Sequence, residues 1–356
     1  MFISIKKTLL ENVLVNCNGY LDKKDISNVT SHILINTAND KIIFKATDNE
    51  IGLTYQIDDC NISQEGVATV NGKKFLDIVR SLKDEMIDIK AQNNYIHITQ
   101  SNYSQKLPMQ NANEFPDFPS KEGKKKFNIN AALLSKNLKK ISETIDQTIP
   151  KREVTGALID VNENFINLVA TDTKMLSIYK MESNSQQKEQ IILPKKAVLE
   201  IQKIFFENDI EIFCNENTFI AVGANFEFFT KIINGKFPDY TKIANDEAVE
   251  SFKLKKEDFK DEFERASKNY DIVKIIFNKN EIIFESKTDD GSEVKNKIEV
   301  NTNIKGEEIS FGIKSKYLND FLKNAEEDEF ELKYSGKNRP IVLLSGKLKS
   351  IIVTNF

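Results

Sequence analysis

Two aspartates, Asp48 and Asp172, each close an Ala-Thr-Asp triplet after an apolar run, and at first they look like a carboxylate pair for acid–base chemistry. They stand 124 positions apart in matching contexts, Ile42-Ile43-Phe44-Lys45-Ala46-Thr47-Asp48 and Ile166-Asn167-Leu168-Val169-Ala170-Thr171-Asp172. Equivalent residues of a repeat do the same job twice, so each aspartate is predicted to organise a turn in its own domain. His32 and His97 have no second ligand near them at metal spacing, and neither a zinc site nor a Ser-His-Asp triad can be assembled. Cys17, Cys60 and Cys214 are odd in number and far apart, which argues against a disulfide framework or a CxxC site and for buried small apolar residues. GxxxxGK[ST] and GxGxxG are both absent, so no phosphate-cradling loop is expected. The expectation is a non-catalytic protein without metal or cofactor.

Lysine is the remaining chemistry. Lys73 and Lys74, Lys195 and Lys196, and Lys314 and Lys316 open corresponding predicted helices in three successive stretches of chain. Ammonium groups on a helix surface meet phosphates as hydrated point charges, giving salt-dependent contact without sequence preference. Of 50 basic residues only Arg80, Arg152, Arg265 and Arg339 are arginines, the side chain suited to bidentate reading of guanine. Base-specific recognition is therefore not expected.

The elements that position these lysines follow from an internal repeat. Val67-Ala68-Thr69-Val70-Asn71-Gly72-Lys73-Lys74-Phe75-Leu76, closing on Glu114-Phe115-Pro116-Asp117-Phe118, recurs 122 positions later. The second copy runs from Ile191-Ile192-Leu193-Pro194-Lys195-Lys196 to Lys236-Phe237-Pro238-Asp239-Tyr240. A third runs from Ile309-Ser310-Phe311-Gly312-Ile313 to Ile341-Val342-Leu343-Leu344. With 356 residues, too many for one ordinary core, the chain is predicted to hold three similar domains, 1–121, 126–246 and 250–356. Breaks are expected near Pro119 to Lys126 and Asn245 to Glu250. Apolar stripes such as Leu134, Leu138 and Ile141 recur at helical spacing, and runs such as Glu211-Ile212-Phe213 alternate like half-buried strands. The fold class is α+β, each domain carrying two helices on antiparallel sheets with about eight strands.

Net charge is −4, which by itself argues against a polyanionic partner. The predicted helices, residues 6–16, 71–83, 132–145, 194–203, 255–268 and 314–323, nonetheless carry +10, leaving −14 for everything else. If the domains set their helices on a common face, that face is basic. The helix at 255–268 departs from the trend, its bases cancelled by Glu257, Asp258, Asp261, Glu262 and Glu264. A repeat scaffold that binds only proteins, with its lysines turned to solvent, is the alternative reading.

Taken in order, Val154-Thr155-Gly156-Ala157-Leu158, Ala170-Thr171-Asp172, Leu193-Pro194-Lys195-Lys196 and Lys236-Phe237-Pro238-Asp239-Tyr240 resemble the bacterial DNA sliding clamps, beta subunits of the replicative DNA polymerase III. The likeness covers the whole chain. It implies a head-to-tail homodimer, a ring of six domains around double-stranded DNA, with helices inside and continuous sheet outside. It also implies a processivity factor that tethers the replicative polymerase, the clamp loader and repair polymerases through their linear peptide motifs.

By the same resemblance, DNA contact falls to Lys24, to Lys151 and Arg152 in the corresponding second-domain loop, and to helix residues. These are Lys73, Lys74 and Arg80, then Lys136, Lys139 and Lys140, then Lys195, Lys196, Lys314 and Lys316. The peptide pocket is expected to be walled by Val154, Thr171, Thr173, Lys174, Met175 and Leu176, and by Pro238, Lys242, Ile243 and Val353. The dimer contact is expected around Leu107 and the helix bearing Phe263, Ala266 and Tyr270. Many clamps have Gly-His-Arg where this chain has Thr173-Lys174-Met175, and a Pro-Met-Arg-like end where it has Val353-Thr354-Asn355-Phe356, so its peptide preference is expected to differ. The first residues, Met1-Phe2-Ile3-Ser4-Ile5, alternate like a strand and lack the order of a secretory signal, and no apolar run is long enough to cross a bilayer. A cytoplasmic location is expected.

Overall fold

A computed structural model describes residues 1–25, 27–183, 188–206, 209–243, 248–288, 290–304, 306 and 308–355. Six long helices are α1 (Lys7–Asn18), α2 (Gly72–Ser81), α3 (Ala131–Ser142), α4 (Lys195–Ile204), α6 (Lys256–Ser267) and α7 (Ser315–Asn324), and the short α5 spans Tyr240–Ile243. Their apolar spacing decides which face is buried. In α2, Phe75, Leu76, Ile78 and Val79 are buried while Lys73, Lys74, Asp77 and Arg80 stay exposed. The Asn71 side chain accepts the Lys74 N–H at 3.1 Å, satisfying one otherwise orphaned donor at the start of α2. None of these helices is long and apolar enough to cross a membrane.

Every strand pairing is antiparallel, and four sheets result among the described residues. One has five strands, ordered Asn61–Gln64, Phe2–Lys6, Met86–Gln92, Tyr95–Gln100, Tyr103–Pro108. The first eight-stranded sheet runs Lys125–Asn130, Asp209–Cys214, Thr218–Val222, Phe226–Lys231, Ile51–Ile57, Lys41–Thr47, His32–Ala38, Gly66–Asn71. The second runs Glu189–Pro194, Gly156–Val161, Phe165–Thr171, Met175–Glu182, Leu348–Ile352, Ile341–Ser345, Glu329–Tyr334, Glu250–Lys255. A four-stranded sheet, Glu293–Glu299, Glu281–Lys287, Ile272–Phe277, Ile309–Lys314, completes the set.

Each eight-stranded sheet is two half-sheets from successive sequence repeats, joined by backbone hydrogen bonds. Phe226–Lys231 of the second repeat pairs with Ile51–Ile57 of the first, and Leu348–Ile352 of the third pairs with Met175–Glu182 of the second. Strand sharing also explains why compactness does not follow the repeat. The chain divides into Met1–Ser135 with Leu199–Ile232, and Lys136–Val198 with Ile233–Phe356, so the division runs through the second repeat. The lysine run expected to lie in a linker instead opens a strand, Lys125–Asn130, where Lys126 is ion-paired with Glu211. Of the second expected break, Asn245 to Glu250, residues 245–247 lie outside the described residues, and Glu250 already opens the strand Glu250–Lys255.

Candidate functional site

Asp48 and Asp172 build the same turn. Asp172 Oδ1 accepts the N–H groups of Lys174 (2.9 Å) and Met175 (2.7 Å), while the Thr171 hydroxyl donates to Met175 O and accepts from Thr173 N–H. In the first repeat Asp48 Oδ1 accepts from Glu50 and Ile51, and Thr47 bonds Ile51 O and Asn49 N–H. The residue after each aspartate is left-handed, φ 72° at Asn49 and 74° at Thr173. In each carboxylate Oδ1 accepts two backbone N–H groups, the arrangement of a turn-forming aspartate.

His32 is buried, and removal from water, with Lys74 nearby, pushes its imidazole down to about 4, so it is neutral at physiological pH.

The second repeat's turn borders an apolar cluster. Val154, Leu158, Val169, Leu176, Ile178, Ile192, Phe237 and Tyr240 pack with Val342 and Ile351, and Ile149, Ile233 and Leu344 flank them. Burial of each large side chain contributes roughly 1.5–3 kcal/mol to this floor. Tyr240 fixes α5 over it: its hydroxyl donates to Asp160 Oδ2 and accepts from Asn167 Nδ2 at 2.8 Å. Burial and then the Asp160 hydrogen bond hold that phenol protonated, well above its ordinary range. Beside the buried floor stand exposed apolar groups, Ile243 at 53% and Val353 at 42% of full exposure. Val353 N–H donates to Lys174 O at 2.9 Å, tying the chain's end to the Asp172 turn. Pro238 is half-buried, and Thr173, Lys174 and Lys242 are exposed. The arrangement suits an extended peptide that sets apolar anchors on the cluster and finds polar groups at the edge.

Three residues expected at the pocket or the dimer contact are placed otherwise. Met175 precedes Leu176 on one strand and therefore points to the opposite face. It shares its face with Ser177, which meets Thr144 at 2.8 Å, so it cannot line the pocket floor. Phe263 and Ala266, expected at a dimer contact, are fully buried in their own core, where Phe263 packs on Phe259 and Phe284. Of the other two, Leu107 is buried on an edge strand and Tyr270 is half-buried.

Sequence reasoning missed Val342 and Ile351 of the third repeat and the Asp160–Tyr240 anchor. Strand alternation carried the signal for the first two; nothing in the sequence links Asp160 to Tyr240.

Lys24, Lys73, Lys74, Lys139, Arg152, Lys314 and Lys316 are exposed. Arg80 reaches Glu11 at 3.5 Å, Lys136 reaches Glu326 at 3.2 Å, and Lys151 reaches Glu153 at 3.8 Å, pairs that still leave these side chains more than half exposed. Lys195 donates to Ile145 O and, like Lys196, is half-buried. Lys140 departs from expectation: it is buried, ion-paired with Glu326 at 2.7 Å, and its ammonium lies 3.9 Å from the Tyr179 ring centre. That charge is used inside the protein and is not presented to a phosphate. Within their observed bounds α1 is neutral, α2 carries +2, α3 +3, α4 +2, α6 −2 and α7 +1, so the long helices total +6 against −4 for the whole chain. The contrast is smaller than the sequence suggested and keeps its sign.

Three family models match in succession: the N-terminal domain of the DNA polymerase III beta subunit at residues 1–119, its central domain at 128–239 and its C-terminal domain at 245–351. The chain is 37% identical over 353 residues to the beta sliding clamp of Helicobacter pylori strain J99, covering 96% of this chain and 94% of that protein. It superposes on the Helicobacter pylori beta clamp in complex with 3,4-difluorobenzamide with a TM-score of 0.94, at 34% identity and 100% coverage of each chain. The Helicobacter pylori beta clamp bound to a DNA ligase peptide gives a TM-score of 0.93 at the same identity and coverage.

Proposed function

The chain belongs to the DNA polymerase III beta-subunit family, the beta sliding clamps, and from that premise we propose that two copies close head to tail around duplex DNA in the cytoplasm. It is a non-catalytic processivity factor that tethers partner proteins. One observation carries the ring. Two half-sheet joints within the chain use the same kind of strand, and the five- and four-stranded sheets end on the corresponding strands, Tyr103–Pro108 and Glu293–Glu299, each with no second partner strand among the described residues. A head-to-tail contact between such edges generates a closed ring when the rotation closes. Light scattering in dilute solution should return about twice the 40.7 kDa chain mass. A chain-sized mass at high concentration would count decisively against the ring.

Partner proteins dock on the apolar cluster beside the Asp172 turn. Ile243→Asp removes an exposed apolar anchor without touching the buried floor. Binding of a fluorescent DNA ligase peptide, of the kind bound by the Helicobacter pylori protein, is expected to weaken tenfold or more, about 1.4 kcal/mol or above. The molar mass should stay unchanged. Unaltered affinity would refute the pocket.

Thr173, Lys174 and Lys242 form its polar edge, so peptide choice in this chain is set there. DNA is held by Lys24, Lys73, Lys74, Arg80, Lys136, Lys139, Lys151, Arg152, Lys195, Lys196, Lys314 and Lys316.

A further inference from the structure

The two joints inside the chain use one register, residue for residue. In each repeat the last strand follows a two-residue turn, after which Phe226, Leu348 and Tyr103 are the first paired residues, opposite Gly223, Ser345 and Gln100. Phe226 lies opposite Tyr55 at one joint, and Leu348 lies opposite Tyr179 at the other. Tyr55 and Tyr179 are themselves equivalent. They pair with Phe44 and Leu168, each the fourth residue after the two-residue turn that ends at Lys41 or Phe165. In the third repeat that turn ends at Glu281, the fourth residue is Phe284, and its partner is Asn296.

From this we propose that the ring closes with Tyr103 of one copy opposite Asn296 of the next, which sets Ser104 against Lys295, Gln105 against Val294 and Lys106 against Glu293. The inference rests on the two-copy ring proposed above and adds its register. Side-chain alternation agrees with it. Gln105 shares a face with buried Leu107, and Val294 shares a face with Asn296, which donates to Glu262 O of α6 at 3.1 Å. Both core faces therefore meet core faces. Lys106 and Glu293 then meet on the opposite, solvent side as opposite charges. A one-residue slip would set core face against solvent face along the whole joint. A two-residue slip one way sets Lys106 against Lys295, a like-charge pair that is disfavoured. A slip the other way runs Lys106 past the end of the Glu293–Glu299 strand.

Cross-linking tests the register. The hydrogen-bond pattern of the first joint, with Gln56 N–H donating to Asn225 O and Lys231 N–H to Glu50 O, makes Gln105 and Val294 a non-hydrogen-bonded pair. Such pairs have close Cα atoms, within disulfide reach. The full chain carrying Gln105→Cys and Val294→Cys, oxidised with copper phenanthroline, should run as a covalent species of twice the chain mass. Gln105→Cys with Asn296→Cys should not. In parallel, Lys106→Glu should raise the dimer dissociation constant about fivefold, and adding Glu293→Lys should restore it. A dimer that links only through the Asn296→Cys pair, or that ignores the charge exchange, overturns the register and leaves the ring standing. A link within one chain, or a monomer, overturns both.

Discussion

A single cut in a circular plasmid, made after the protein has been loaded onto it, is expected to release nearly all of the bound protein within minutes, while the uncut circle retains it. The expectation comes from how weak each contact is. The basic residues on the helices and adjoining loops are mostly exposed, and an exposed ionic contact contributes roughly 0–1 kcal/mol. At physiological salt, interactions beyond about 8 Å are screened. The six long helices carry only +6 in net charge, and Arg80 and Lys136 are partly neutralised by Glu11 and Glu326. Such a surface cannot hold one phosphate register for long, so a ring can move along the duplex, and persistence must come from topology. Co-elution with circular and linear DNA on a sizing column at 0.15 M salt measures it. Equal retention on both forms would sink encirclement and favour a protein-binding scaffold.

Much of this was legible in the sequence because repeats and periodicities are linear properties. The equivalence of Asp48 and Asp172 needs only alignment, and the hydrogen bonds of the two turns bear it out. The lysine-bearing face of α2 follows from apolar residues three and four apart. What failed depended on contacts distant in sequence or on a face not worked out. Lys140 has the spacing of a surface lysine, and only Glu326, far along the chain, shows that its charge is consumed. Phe259, Phe263 and Ala266 recur at helical spacing, which marks a core stripe. Assigning two of them to an interface set the family expectation above that pattern. Met175 and Leu176 are neighbours on a strand and must part to opposite faces, a signal present in the sequence. The shared register of the joints was not visible there, because it depends on which half-sheets meet.

Replacing Gly156 by alanine is expected to destabilise the protein by about 3 kcal/mol, the upper part of the range for overpacking a well-filled interior. A Cβ at Gly156 would lie 2.3 Å from Leu193 O and 2.8 Å from the Ile233 side chain. The carbonyl cannot retreat, because Gly156–Val161 and Glu189–Pro194 are paired along their length, with Gly156 opposite Pro194 and Ala157 opposite Leu193. Relief must come by opening that pairing and displacing Ile233, which packs on the apolar cluster proposed to take peptides. Two readouts should therefore fall together, the denaturant midpoint and affinity for the ligase peptide. Gly306→Ala is the control, since a Cβ there meets nothing within 4 Å. A Gly156→Ala protein as stable as the parent would show that the close approach is not required.

The strands shared across the repeats also constrain heredity. Three tandem copies suggest parts that could be duplicated, deleted or exchanged as blocks, yet the second repeat lends a strand to each neighbour, Phe226–Lys231 to the first and Met175–Glu182 to the third. Losing one whole block would force its neighbours to pair strands whose side chains had not met before, or leave bare, aggregation-prone strand edges. Once the copies had joined in this way, each could change only in step with the strands it meets, and the number of blocks in the chain was no longer free to drift.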